Sequence, residues 1–198
     1  MKGLKKVAIC VLIAVFALSA FVGCASEDFS SEYGEELVTN GSFESGTDGW
    51  EIVGADGENT EVLVKSHTSG SLEADRFGNN FVVVNNKVRA ETYLKQTLRL
   101  EKGAVYRLES NIRIENAITG DAANGFEGAY VGFEENQEFI PIASKKTANT
   151  FWGNETSFSY YFTSEFDSVT LTLRLGEKNS GVKGTAFFDS APFFVNVT

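Results

Sequence analysis

Residues 40–50 read Asn40-Gly41-Ser42-Phe43-Glu44-Ser45-Gly46-Thr47-Asp48-Gly49-Trp50, and the chain changes character there. On the N-terminal side the sequence is first basic and apolar, then polar and acidic. On the C-terminal side short apolar runs are separated by glycine, asparagine and serine, residues that favour turns. We therefore place one globular domain at residues 37–198, beginning just before this stretch.

The domain reads as a succession of short β-strands. Glu61–Lys65 and Phe81–Val84 are rich in β-branched residues, and residues 169–175 alternate strictly between apolar and other side chains. No window outside the N-terminal segment has a sustained helical period. Glu101-Lys102-Gly103 predicts a tight hairpin between two long strands. The sequence thus predicts an all-β fold, either a two-sheet β-sandwich or a barrel.

The N-terminus predicts export. Lys2, Lys5 and Lys6 precede an apolar segment that runs from residue 7 to residue 22, which is the pattern of a secretory signal. The following Gly23-Cys24 resembles a bacterial lipobox, so we expect a lipoprotein signal peptide at residues 1–23 and lipidation of Cys24. The protein would then be anchored to the outer face of the bacterial cell membrane. The alternative is an ordinary cleaved signal with an incidental cysteine.

Charge and cysteine content limit the partners of the mature chain. The signal holds three of the 17 basic residues and none of the 27 acidic ones, which leaves a net charge of −13. Such a charge excludes nucleic acid as a partner and leaves the lipid as the means of membrane attachment. Cys10 is removed with the signal, so no disulfide is expected. Residues 24–36 are polar and acidic and predict a flexible tether.

The opening stretch resembles the start of jelly-roll carbohydrate-binding modules of the family 4, 9 and 22 group, which are galactose-binding-like β-sandwiches. Three further motifs follow in that family's order, at residues 69–74, 98–108 and 187–193. The resemblance implies a two-sheet jelly roll that binds an oligo- or polysaccharide without catalysis. It also implies a structural Ca²⁺, whose ligands would be Glu44, Ser42, Ser71 and Asp189. Alternatively, Glu44 and Asp189 are strand-end residues that cap turns.

A sugar site needs a flat apolar plate and planar polar groups. Trp152 lies in a polar, glycine-bearing sequence and is our first candidate for the plate, with Asn154 beside it, although a buried tryptophan is the commoner case. The other candidate ligand-binding residues would line a concave face; they are Tyr93, Tyr130, Gln96 and Arg113. Trp50 is expected to be buried.

Catalysis has little support in the sequence. His67 is the only histidine and no nucleophile elbow accompanies it. The acidic residues Glu134, Glu135 and Glu138 suit a solvated loop better than a hydrolytic carboxylate pair. We therefore expect a binding protein and not an enzyme. The alternative functions are a structural or adhesive surface domain that binds protein or cell wall and, well behind, a hydrolase of small glycans.

Overall fold

A computed structural model describes residues 33–71, 74, 78–119, 128–135, 138–145, 157–176, 181–189 and 193–196. The chain divides into two units, Met1–Tyr33 and Gly34–Thr198. The predicted signal peptide at residues 1–23, Cys24, Trp152 and Asn154 lie outside the described residues. Within the described residues, no helix has the length and apolar character needed to cross a membrane.

Twelve strands lie within the described residues. They are β1 (Tyr33–Glu36), β2 (Glu51–Val53), β3 (Thr60–Ser66), β4 (Asn80–Ala90), β5 (Thr92–Arg99), β6 (Val105–Thr119), β7 (Ala129–Glu135), β8 (Glu138–Lys145), β9 (Ser157–Thr163), β10 (Ser168–Leu175), β11 (Val182–Asp189) and β12 (Phe193–Asn196).

The strands form two antiparallel sheets. The seven-stranded sheet has the order β1-β12-β6-β11-β4-β3, with β9 also paired to β6, and the five-stranded sheet has the order β2-β5-β10-β7-β8. Each strand points alternate residues into the space between the sheets. Val82 and Val84 of β4 meet Leu171 and Leu173 of β10 in one hydrophobic core, and all four are fully buried. The predicted all-β, two-sheet β-sandwich is confirmed.

Two local predictions need correction. The turn at Glu101-Lys102-Gly103 exists, with Gly103 in the left-handed region, but it does not join a hairpin. It carries the chain from β5 in one sheet to β6 in the other, because turn residues specify a reversal and not the pairing of the strands. In addition, the end of the predicted tether forms the edge strand β1 next to β12. Backbone pairing requires no apolar side chains, so composition did not reveal this strand.

The opening stretch, residues 40–50, is held together by hydrogen bonds of Asn40. The Asn40 amide donates to the carbonyls of Gly46 and Asp48, each at 3.1 Å, and its backbone carbonyl accepts the indole N–H of Trp50 at 3.2 Å. Phe43 is fully buried against Trp50 with ring centroids 5.6 Å apart, and Trp50 is 7% exposed. The expected burial of Trp50 is confirmed.

Gln96 of β5 fastens this stretch to the five-stranded sheet. Its side-chain oxygen accepts the backbone N–H of Thr39 at 2.7 Å, and its amide nitrogen donates to the carbonyls of Thr39 and Gly49 at 3.0 and 2.9 Å. Gln96 lies opposite Leu171 in the register, hence on the side of the sheet that faces the core. The side chain therefore supports the fold.

Replacement of Gln96 by alanine should destabilise the domain. It removes three hydrogen bonds to backbone groups, and we expect a loss of about 1–3 kcal/mol in the free energy of unfolding, measured by urea titration. Lys102→Ala, in an exposed turn, is the matched control and should change little. A Gln96→Ala variant as stable as the wild type would show that these hydrogen bonds do not hold the opening stretch.

Candidate functional site

Arg174 lies at the centre of an unusual row on the outer face of the five-stranded sheet. Strand β10 runs between β5 and β7, and Arg174 is paired in the register with Tyr93 on one side and Tyr130 on the other. Because Leu173 and Leu175 point into the core, Arg174 must point outward. The three aligned side chains form what we call the Tyr93–Arg174–Tyr130 row.

The guanidinium of Arg174 is held by two carboxylates and a ring. Its side chain is 4% exposed, with one terminal nitrogen 3.2 Å from Oε1 of Glu91 and the other 3.7 Å from Oε2 of Glu134. Its central carbon lies 4.3 Å from the centroid of the Tyr93 ring. A buried cation requires such compensation, and a planar guanidinium suits both the carboxylates and the aromatic face.

The register explains how Arg174 reaches Glu134. Glu134 stands four residues beyond Tyr130 on the same face of β7, and Gly132 lies between them. Glycine has no side chain, so β7 places nothing between Tyr130 and Glu134 on this face. The guanidinium can therefore extend toward Glu134 past Gly132.

Tyr93 is the accessible ring of the row. It is half-buried, whereas Tyr130 is 3% exposed. Burial raises the pKa of the Tyr93 phenol, and the negative charge of Glu134 acts in the same direction. The phenol therefore stays neutral and can donate a hydrogen bond at physiological pH. Beyond it on the same face, the hydroxyls of Thr97 and Thr170 lie 3.1 Å apart.

The side chains in this arrangement are better suited to binding a ligand than to catalysing a reaction. It combines an accessible aromatic ring, hydroxyls and carboxylate oxygens, which are the kinds of group that contact hydroxyl-rich ligands. Glu91 and Glu134 both lie against the guanidinium of Arg174, which differs from the apolar surroundings that suit a general acid.

The structure brings together two of the predicted ligand-binding residues, Tyr93 and Tyr130. Gln96 lies on the opposite side of the five-stranded sheet, where it holds the opening stretch. Arg113 belongs to β6 of the other sheet, with its guanidinium carbon 4.2 Å from the ring centroid of Phe187. Gln96 and Arg113 therefore do not share a face with the two tyrosines. Trp152 and Asn154 lie outside the described residues.

Sequence reasoning missed Arg174 and Glu91 as site residues, and it placed Glu134 in a solvated loop, whereas Glu134 lies in strand β7. The strict alternation of residues 169–175 would have placed Arg174 on the face opposite the leucines. It could not have shown which residues of β5 and β7 stand beside Arg174, since the register between strands is set by the folded sheets.

The predicted calcium ligands occupy a second location, near the end of β11. Glu44 accepts the backbone N–H of Asn79 at 2.8 Å and the side-chain amide of Asn80 at 3.3 Å. Asp189 is fully buried, and its Oδ2 lies 2.7 Å from Nε2 of His67. The hydroxyl of Ser71 accepts the backbone N–H of Ala74 at 3.2 Å.

Burial raises the pKa of Asp189 to about 8, and the negative charge of Glu44 acts in the same direction. Burial therefore favours the protonated form of the Asp189 carboxyl at neutral pH. Oδ1 of Asp189 is buried without a hydrogen-bond partner in the described part of the chain. A nearby cation would satisfy this oxygen and favour the ionised carboxyl.

The oxygen chemistry fits Ca²⁺, which takes about six to eight oxygen ligands. Glu44 and Asp189 would supply carboxylate oxygens, and Ser42 lies beside Glu44, since both approach the position that a Cβ on Gly78 would occupy. Across the residues described, no group of three or more His, Cys, Asp or Glu side chains is placed to hold a metal. Backbone oxygens or water would have to complete the coordination, and calcium stays a prediction. His67, which the sequence suggested only as a weak catalytic candidate, is the residue that the structure adds.

Comparisons with known proteins concern the fold. No protein-family model matches the sequence, and a search of curated proteins found no match. Among solved structures, TmCBM61 in complex with β-1,4-galactotriose has a TM-score of 0.53 at 16% identity, covering 82% of this chain and 99% of that one. The CBM22-1 xylan-binding domain of Paenibacillus barcinonensis Xyn10C has a TM-score of 0.52 at 14% identity, with 84% and 98% covered.

A third similar structure belongs to an enzyme. The enzymatically active domain of bacteriophage CBA120 tailspike protein 4 has a TM-score of 0.55 at 12% identity, and the match covers 81% of this chain. The chain spans only about a fifth of that tailspike domain, 21% of its length, whereas it spans nearly the whole of the two binding modules. The chain therefore has the jelly-roll β-sandwich fold that is found in carbohydrate-binding modules.

Proposed function

We propose that this chain is a non-catalytic carbohydrate-binding protein whose ligand lies on the outer face of the five-stranded sheet. The observation that carries the proposal is the Tyr93–Arg174–Tyr130 row with its two carboxylates. A sandwich does not need a buried guanidinium on an outer face, and burying one costs free energy unless it is compensated. Such a cost is understandable where the polar groups must be held rigidly for a ligand.

The row supplies the two kinds of contact that a sugar needs. The open part of the Tyr93 ring faces the apolar C–H surface of a pyranose, as aromatic rings do at many binding sites. Glu134, which Arg174 holds in place, is positioned beside the ring as an acceptor for adjacent hydroxyls. Because Arg174 fixes both Tyr93 and Glu134, little side-chain entropy would be lost on binding.

The charged groups of the site favour binding without catalysis. Hydrolysis of a glycosidic bond needs two carboxyl groups across the scissile bond, one of them protonated. Glu91 and Glu134 instead lie against the same guanidinium, so both carboxylates serve to compensate the buried charge of Arg174. The similarity to the tailspike domain concerns the fold and does not alter this argument.

We predict that Tyr93→Ala weakens binding to soluble β-1,4-galactan or xylan by about tenfold or more, because it removes the accessible ring. Affinity electrophoresis and titration calorimetry measure the change. The control is Tyr161→Ala, since Tyr161 is a 53% exposed tyrosine on β9 of the other sheet. Equal weakening by both variants would contradict a site on the five-stranded sheet. Absence of binding to any glycan would favour the structural or adhesive alternative.

We further propose that the chain is a lipoprotein exposed on the outer face of the bacterial cell membrane. The proposal rests on the basic and apolar N-terminus followed by Gly23-Cys24. Attachment by an acyl group would suit a domain whose acidic surface is repelled by anionic lipid.

Replacement of Cys24 by serine should abolish the incorporation of labelled palmitate into the protein, because the thiol that carries the acyl group is lost. Acyl labelling is the readout, since a signal that stays attached would itself hold the variant in the membrane fraction. Cys10→Ser, within the signal, serves as the control and should leave the labelling unchanged. Equal labelling of the Cys24→Ser chain and the full-length chain would disprove the anchor.

Finally, we propose that Ca²⁺ binds near Glu44 and Asp189 and stabilises the domain. Excess Ca²⁺ should raise the melting temperature of residues 37–198 by several degrees, since ligand at about 100 times its Kd contributes about 2.7 kcal/mol. Asp189→Asn, which keeps the side-chain shape but loses the charge, should abolish the rise. Glu58→Gln, at an exposed position away from this cluster, should retain it. An unchanged melting temperature on chelation would refute the calcium proposal.

A further inference from the structure

An apolar cavity lies between the edges of the two sheets, away from the Tyr93–Arg174–Tyr130 row. Its volume is about 240 Å³, and it lies between β9 of the seven-stranded sheet and β8 of the five-stranded sheet. The floor is formed by core side chains, Phe133, Phe162 and Val169. The opening therefore gives access to apolar groups that a sandwich ordinarily encloses.

The rim of the cavity is apolar and exposed. Ile140 and Tyr160 are 45% and 39% exposed, and Phe166, in the link between β9 and β10, is 43% exposed. Tyr160 stacks nearly parallel on Phe162, with ring centroids 5.9 Å apart, so the rim continues into the floor as one aromatic surface. A contiguous exposed apolar surface of this kind marks a binding site more often than isolated apolar residues do.

The size of the cavity limits its occupant to a small group. An engineered apolar cavity of about 150 Å³ binds benzene, and pockets for drug-sized ligands begin at about 300 Å³. A volume of about 240 Å³ lies between these values. It suits a single substituted aromatic ring or a short branched alkyl group.

The charge at the rim of the cavity determines which charge the polar end of the occupant should carry. Glu165 lines the cavity and is exposed, and none of the described residues that line it is basic. A carboxylate beside the rings of Tyr160 and Phe166 attracts a cation and repels an anion. The aromatic faces add to this preference, because their negative quadrupole attracts ammonium groups.

We infer that this cavity binds a small hydrophobic ammonium compound, with its apolar body against Phe133, Phe162 and Val169 and its cationic group beside Glu165. The ring faces and the carboxylate together select a cation, and the apolar floor selects against a strongly hydrated one. This site is separate from the glycan site and does not depend on it.

The test compares three compounds that share a benzyl or phenyl body and differ in charge: benzyltrimethylammonium, benzyl alcohol and benzoate. Binding to residues 37–198 is measured by calorimetry, and the site is located by amide chemical-shift changes. We expect benzyltrimethylammonium to bind most tightly and benzoate most weakly, with shifts at Ile140, Thr163 and Phe166. Equal affinity for benzoate and benzyltrimethylammonium would overturn the inference.

Matched variants separate the local carboxylate from the general acidity of the chain. Glu165→Gln should weaken benzyltrimethylammonium binding by about two- to fivefold and leave benzyl alcohol unaffected. Asp167→Asn removes an equal charge at an exposed position that does not line the cavity, and should have little effect. Equal weakening by both variants would assign the preference to overall charge and contradict the proposed site.

A second pair of variants tests the rings without risk to the core. Phe166→Ala should weaken binding, whereas Tyr161→Ala, next to Tyr160 but on the other face of β9, should not. Tyr93→Ala should also leave the ammonium affinity unchanged. If no compound binds and the chain instead forms a dimer that Phe166→Ala dissociates, the cavity surface belongs to a second copy and the inference is wrong.

Discussion

Burial of the Arg174 guanidinium is the constraint around which the five-stranded sheet is arranged. The side chain points outward from the central strand β10, yet it is almost inaccessible to water. Its charge must therefore be balanced locally, and the balance comes from Glu91 before β5, the Tyr93 ring on β5 and Glu134 on β7. One cation thus links three neighbouring strands on the face that we propose as the sugar site.

The opening stretch, residues 40–50, covers one end of the sandwich core. Asn40 organises the turn, Phe43 and Trp50 enter the core, and Gln96 fastens the turn to β5. The Glu44 side chain contacts Asn79 and Asn80 instead. It lies near the buried pair of His67 and Asp189. Architecture and the proposed ion site therefore use different residues of one motif. The distinction explains how a stretch with little ligand chemistry can still identify the fold.

The sequence was sufficient for the fold class and insufficient for the site. Alternating apolar residues predicted the strands, and the motif at residues 40–50 identified the jelly roll, because both depend on local pattern. The pairing of Arg174 with Tyr93 and Tyr130 depends on register between strands that are distant in sequence, so it could not be read from the chain. The same limit explains why Gln96 and Arg113 were grouped with the tyrosines, although one supports the opening stretch and the other lies on the second sheet. The residues Lys102-Gly103 correctly predicted a turn. They did not show that this turn carries the chain from one sheet to the other.

The central claim is that the outer face of the five-stranded sheet, centred on Arg174, binds carbohydrate. The most direct measurement is a chemical-shift titration of residues 37–198 with a β-1,4-linked galactan or xylan oligosaccharide. The account predicts saturable shifts in the backbone amides around Tyr93, Gly132 and Arg174, accompanied by a shift of the Arg174 guanidinium resonance. Shifts confined to the seven-stranded sheet, or to the cavity beside Phe166, would contradict it.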